Sequence, residues 1–161
     1  ESALSEIVRS QGELHAPSGS DYFIFPRSIF QNIPDFAIGR AGWDNWMIYQ
    51  GLKQKWAVVD ASESLMVIHQ NHDYSHLPGG QMHYDLKETQ INAALGGGMQ
   101  NMYMTLDASY ELLDGQVQRA RRQPERLVRR LERLVYSPRQ RGLRWLLTKR
   151  LRLLRRKLVG Q

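Results

Sequence analysis

The chain contains no cysteine, which excludes disulfides and thiolate metal sites; any metal would have to be held by histidine, carboxylate or carbonyl groups. A cysteine-free chain fits a reducing compartment. No uninterrupted apolar stretch approaches the roughly 20 residues that a helix needs to cross a bilayer. Glu1 to Gly12 carries no basic segment followed by an apolar run, so no secretory signal is legible there. Gly96-Gly97-Gly98 lacks the Lys-Ser/Thr of a phosphate-binding loop and the strand–helix setting of a dinucleotide fingerprint, and reads as a hinge or lid.

What is present is unevenly distributed. The 161 residues suffice for one domain with its own core. The start at Glu1 rather than Met is expected of a processed product or fragment. The net charge of +6 divides sharply: up to Gln118 there are 6 Lys/Arg against 14 Asp/Glu, and from Arg119 onward 16 against 2. An acidic body, 1–118, therefore precedes a basic tail, 119–161, and the high pI belongs to the tail.

Hydrophobic periodicity places a short helix over Ser2–Gln11, strands at Asp21–Phe25, Ala57–Asp60 and Leu65–Ile68, and a longer helix over Trp43–Lys55. Leu65-Met66-Val67-Ile68 reads as buried. Leu86–Leu95 reads as a helix stopped by the glycine triplet, Met102–Leu106 as a strand and Ala108–Leu113 as a helical turn. The body is thus mixed α/β with few strands for a complete sheet. In the tail, Leu127, Val128, Leu131, Leu134 and Val135 share one arc of a helix with Arg122, Arg126, Arg129 and Arg133 outside it. After Ser137-Pro138, a second helix carries Leu143, Leu146, Leu147, Leu151, Leu154 and Leu158 beside Arg144, Lys149, Arg152, Arg155 and Arg156.

Two runs concentrate groups that do chemistry. In Gly42-Trp43-Asp44-Asn45-Trp46 a carboxylate stands at or near a helix start between two indoles. Asp44 there is either a helix cap, worth ~1 kcal/mol, or a base or substrate ligand beside an apolar platform formed by Trp43 and Trp46. The second run, His69-Gln70-Asn71-His72-Asp73-Tyr74-Ser75-His76, offers imidazoles and a carboxylate suited to a divalent metal or to acid/base work. His69 and His72 could face one metal in a turn but not in an extended strand. Asn45 and Asn71 offer amides to a polar ligand, whereas Asp21 and Asp60 read as turn or cap carboxylates.

Gly19-Ser20-Asp21-Tyr22-Phe23-Ile24-Phe25-Pro26, Phe36-Ala37-Ile38-Gly39-Arg40, Trp43-Asp44-Asn45-Trp46, Val59-Asp60-Ala61 and His69-Gln70-Asn71-His72-Asp73-Tyr74 follow in order. Together they resemble glycosyltransferase-like proteins, similar to nucleotide-sugar transferases of the GT-A fold. The resemblance covers roughly Gly12 to Gly115. It implies that Asp44 is the catalytic base or an acceptor ligand, and that Trp43, Asn45, Trp46, Asp21, Arg40 and Asn71 contact substrate. It further implies that His69 or His72 ligates a divalent metal, Mn²⁺ or Mg²⁺, that neutralises the donor diphosphate. The family's N-terminal half, with its nucleotide-binding strands and Asp-x-Asp motif, has no counterpart here. The expected architecture is therefore the C-terminal part of such an α/β domain followed by two amphipathic helices, inactive by itself.

For the tail, cationic amphipathic helices with leucine stripes point to an anionic membrane surface, with a protein partner or packing on the body as the rival. Nucleic acid would use the charges and leave the leucines exposed, which argues against it. The expected partners are thus a nucleotide-sugar donor, a glycan or lipid-linked acceptor and a membrane, in a cytoplasmic protein peripheral at the membrane face. Two other classes remain open: a metal-dependent hydrolase using His69–His76, and a non-enzymatic membrane-associated module.

Overall fold

The structure, a computed structural model, describes residues 3–69, 75 and 86–160. Its elements in chain order are α1 (Ala3–Gln11), α2 (Trp43–Lys53), β1 (Val59–Asp60), α3 (Lys87–Leu95), β2 (Tyr110–Leu113), β3 (Gln116–Arg119), α4 (Pro124–Val135) and α5 (Gly142–Leu158). Two 3₁₀ turns, Met99–Asn101 and Thr105–Asp107, separate α3 from β2. No helix among the described residues is long and apolar enough to cross a membrane.

The sheet is small and mixed. β1 pairs parallel to β2, and β2 pairs antiparallel to β3 with Tyr110 opposite Arg119. Asp114 and Gly115 turn the hairpin in left-handed conformation, φ 49° and 75°, the geometry that joins two twisted strands through two residues. Across the pair, the Arg119 guanidinium lies over the Tyr110 ring at 4.7 Å.

α2 is the apolar centre of the body. Trp46, Met47, Ile48 and Gly51 are buried on it, and Trp46 meets Phe30 and Phe36 at ring distances of 6.4 and 5.2 Å. Phe30 also meets Trp56 edge-on at 5.0 Å, so one aromatic cluster joins residues 30–56. Gly51 admits the neighbouring chain: a Cβ there would stand 2.8 Å from a Val58 methyl.

Several sequence expectations give way. Asp21–Phe25 forms no strand, and Tyr22 and Ile24 are exposed. Leu65–Ile68 is neither a strand nor buried; all four side chains face solvent. Only Val59–Asp60 of the strand expected at 57–60 pairs, and Met102–Leu106 contains a 3₁₀ turn in place of a strand. Ala108–Leu113 is not helical, because Tyr110–Leu113 finds a partner in Gln116–Arg119 across the Asp114-Gly115 turn.

The two tail helices form as expected, but their packing inverts the usual order. α4 faces the body with its arginines. Arg126 pairs with Asp60 at 3.0 Å, and Arg129 and Arg133 pair with Asp107 at 2.9 and 3.1 Å. Arg126 also donates to the carbonyls of Thr105, Leu106 and Ala108, and Arg129 to that of Met102. Arg133 stacks on Tyr103 at 3.8 Å. α5 then packs on α4 through Arg152 and Arg155, which grip Glu132 at 3.1 and 2.9 Å, and through Thr148, whose hydroxyl donates to the Val135 carbonyl. The acidic body is what receives the basic tail.

Candidate functional site

The chain into α2 is set by one side chain. Asn92 of α3 has no exposed surface; its oxygen accepts the Ala37 N–H at 2.8 Å and its amide nitrogen donates to the Ala37 carbonyl at 2.9 Å. The same nitrogen lies 3.4 and 3.3 Å from the Arg40 and Ala41 carbonyls. A part-buried backbone segment without sheet partners is satisfied in this way. It ends at Gly42, whose left-handed φ of 107° turns the chain into the helix without a side-chain cap.

Asp44 is therefore the second residue of α2 rather than its cap. Its carboxylate accepts the Ser20 N–H at 3.3 Å. Ser20 is in turn held by its neighbourhood: Asn45 donates its amide to the Ser18 and Tyr103 carbonyls at 2.8 and 2.7 Å, and Thr105 donates its N–H to the Pro17 carbonyl at 3.1 Å. Burial pushes the Asp44 carboxyl above the ordinary 3.8, against backbone hydrogen bonds from Asn45, Ser20 and Gly42 that pull the other way.

One residue beyond Ser20, Asp21 lies 3.5 Å from the Nδ1 of His69, both side chains about half exposed. Asp44 and Asp21, from separate stretches of sequence, are thus linked through the 18–21 loop, and Asp21 is paired with His69. Trp43, next to Asp44 on α2, is half-buried, its ring 5.7 Å from that of Phe23. Asp21 and His69 present an oxygen and a nitrogen at a spacing suited to neighbouring ligands of one hard or borderline cation. No group of three or more such residues occurs among the described residues.

The other expected site residues separate from this cluster. Trp46 is buried in the aromatic core. The Asn45 amide nitrogen is engaged by the two carbonyls just named. Arg40 donates to the carbonyl of Gly39 at 3.2 Å, and its buried Nε has no partner among the described residues. His72 and Asn71, with Asp73 and His76, lie outside the described residues. Asp60 is the turn carboxylate that its context suggested, accepting the Ser62 N–H and hydroxyl at 3.1 and 2.6 Å.

A separate cavity of about 230 Å³ opens at the other end of α2, lined by Ile29, Phe30, Gln31, Asn32, Gln50, Gln54 and Trp56. It offers amides and aromatic rings without a titratable group. The sequence reading missed Asn92; its one outward sign was a poor helix former between Ile91 and Ala93 in an otherwise regular segment. No family model matches the chain, and neither a curated protein nor a solved structure matches it.

Proposed function

We propose that the body is the acceptor-side part of a glycosyltransferase that moves a sugar from a nucleotide-sugar donor to a glycan or lipid-linked acceptor. The observation that carries this reading is the Asp44 carboxylate at the start of α2. It is half-buried, raised in pKa and held by a loop whose next residue approaches His69. A carboxylate whose pKa is raised is a stronger base toward an acceptor hydroxyl, and a fixed orientation makes it an effective one. In this reading Asp44 takes the proton as the hydroxyl attacks the anomeric carbon. Trp43 and Phe23 give the sugar ring an apolar wall, as aromatic faces suit the C–H faces of sugars.

Asp21 and His69 would hold a divalent metal, Mn²⁺ or Mg²⁺, whose charge neutralises a diphosphate leaving group. Asp21 then serves as a ligand and His69 presents Nδ1, the atom already facing Asp21. The amide- and aromatic-lined cavity at Gln50, Gln54 and Trp56 has the chemistry of a neutral polyol contact and suits a more distant part of a glycan.

The test is release of nucleoside diphosphate by the protein as its gene encodes it, from a panel of nucleotide sugars with Mn²⁺, with and without oligosaccharide acceptors. Acceptor-dependent release from one donor is expected. Absence of release from every donor in the presence of metal and acceptor would remove the transferase reading.

A further inference from the structure

The leucines of the tail are not where a packed helical hairpin would place them. On α4, Leu127, Leu131 and Leu134 are exposed, Leu134 at 73%. On α5, Leu143, Leu146, Leu147, Leu153, Leu154 and Leu158 are exposed, Leu143 also at 73%. The faces turned inward carry Arg126, Arg129, Glu132, Thr148 and Arg155, with Val128 the one apolar side chain buried among them. Because the arginines are committed to Asp60, Asp107 and Glu132, neither helix can roll its leucines inward without breaking those buried pairs.

Between the outward leucines stand cations. Arg130 shares the α4 leucine face, and Arg150 and Lys157 share that of α5, by the 3.6-residue period. None of these three has an ion-pair partner among the described residues, and no Asp or Glu follows Glu132 in the sequence. An apolar stripe with interleaved unpaired cations has one matching environment: acyl chains for the leucines, anionic headgroups for the charges a few ångströms above them. A second copy of the same surface would set cation against cation, and a polyanion alone would leave the leucines in water. At 17 residues α5 presents this face along roughly 25 Å, suited to a helix lying flat on a bilayer.

We propose that the outward leucine faces of α4 and α5, with Arg130, Arg150 and Lys157 among them, dock the protein on an anionic lipid surface. The inference is independent of the transferase reading, since it rests on the hairpin alone. The body, gripped by the inner arginine face of α4, is then carried at the membrane with Asp107 and Asp60 directed away from the lipid.

The test is co-sedimentation of the full chain with phosphatidylcholine vesicles, with and without phosphatidylserine, at low and physiological salt. Binding is expected only with phosphatidylserine. The pair Leu146→Ser/Leu153→Ser should weaken it on the order of 100-fold, and Arg150→Ala/Lys157→Ala roughly 30-fold with a smaller salt dependence. All four positions face solvent, so unchanged far-ultraviolet circular dichroism is expected. Because the chain has no cysteine, a single Leu154→Cys carries an environment-sensitive fluorophore cleanly. Its emission should shift to the blue on phosphatidylserine vesicles, while the same label at Gln116→Cys on β3 should not respond. Failure to bind phosphatidylserine vesicles, or binding indifferent to the leucine pair, overturns the proposal. Leucine-dependent binding to polyglutamate without binding to vesicles assigns the face to an acidic protein and overturns it too.

Discussion

Replacing Glu132 by glutamine removes one charge from the interior of the helical hairpin and keeps its shape. In the native protein Glu132 is 2% exposed and holds Arg155, itself buried, together with Arg152 and the flanking Arg129. Burial works to raise its pKa, but the hydrogen bonds and charges of Arg155, Arg129 and Arg152 outweigh it and hold the carboxyl below the ordinary 4.5. Without the carboxylate, Arg155 is left buried without its counter-charge, a change that typically costs about 3–5 kcal/mol. The Arg152 contact is over a third exposed and adds at most a few tenths more. For a domain stable by about 5–15 kcal/mol, this is a large fraction. At roughly 2–4 °C per kcal/mol for this chain length, the expected fall in Tm is about 10 °C.

Thermal melting by circular dichroism reads the loss, and hydrogen exchange should show α5 amides losing protection ahead of α2. The pH dependence has a definite sign. A carboxyl with a lowered native pKa contributes stability above the unfolded value of 4.5 and loses it as pH falls through the native pKa. The native protein should therefore weaken in that acid range through Glu132, and Glu132→Gln should lack that part of the slope. Replacing Glu132 and Arg155 together by leucine should restore most of the stability, because the pair is removed whole. A Glu132→Gln protein within about 1 kcal/mol of the native one, with α5 still protected, would refute the buried arginine grip.

Other expectations follow from the site. Asp44→Asn should raise Tm at neutral pH, since burial penalises the ionised carboxylate; the gain should vanish below pH 3.8, where the native side chain is protonated in both states, and melts at several pH values check it. Asn92→Leu leaves the Ala37 N–H and the facing carbonyls unsatisfied and should cost about 3 kcal/mol in urea unfolding. Mn²⁺ binding, followed by electron paramagnetic resonance, should weaken on the order of 10-fold or more for His69→Ala and for Asp21→Ala.

Much of the helical framework was legible because period and punctuation agreed: α2, α4 and α5 each follow an apolar pattern bounded by glycine or proline, and the glycine triplet marks the end of α3. The hairpin was misread although Asp114-Gly115 is a strong turn signal; the helical spacing of Tyr110 and Leu113 competed with it. Leu65–Ile68 misled because an apolar run announces burial only where a neighbouring surface receives it. Asp44, Asp21 and His69 could each be singled out by residue type, but not the Ser20–Asp44 and Asp21–His69 contacts, which depend on the 17–21 loop being pinned by Asn45 and Thr105. The arginine-inward packing of α4 was hidden because helical periodicity locates a polar face without saying that Asp60 and Asp107 wait to receive it.

The most direct measurement compares acceptor-dependent sugar transfer by the natural protein and by its Asp44→Asn form at equal folded concentration. Loss of a positioned base should lower kcat on the order of 10³-fold while Tm rises. Equal turnover by the two forms, or an Asp44→Asn protein whose lost activity tracks a fall in Tm, would contradict a catalytic carboxylate at the start of α2.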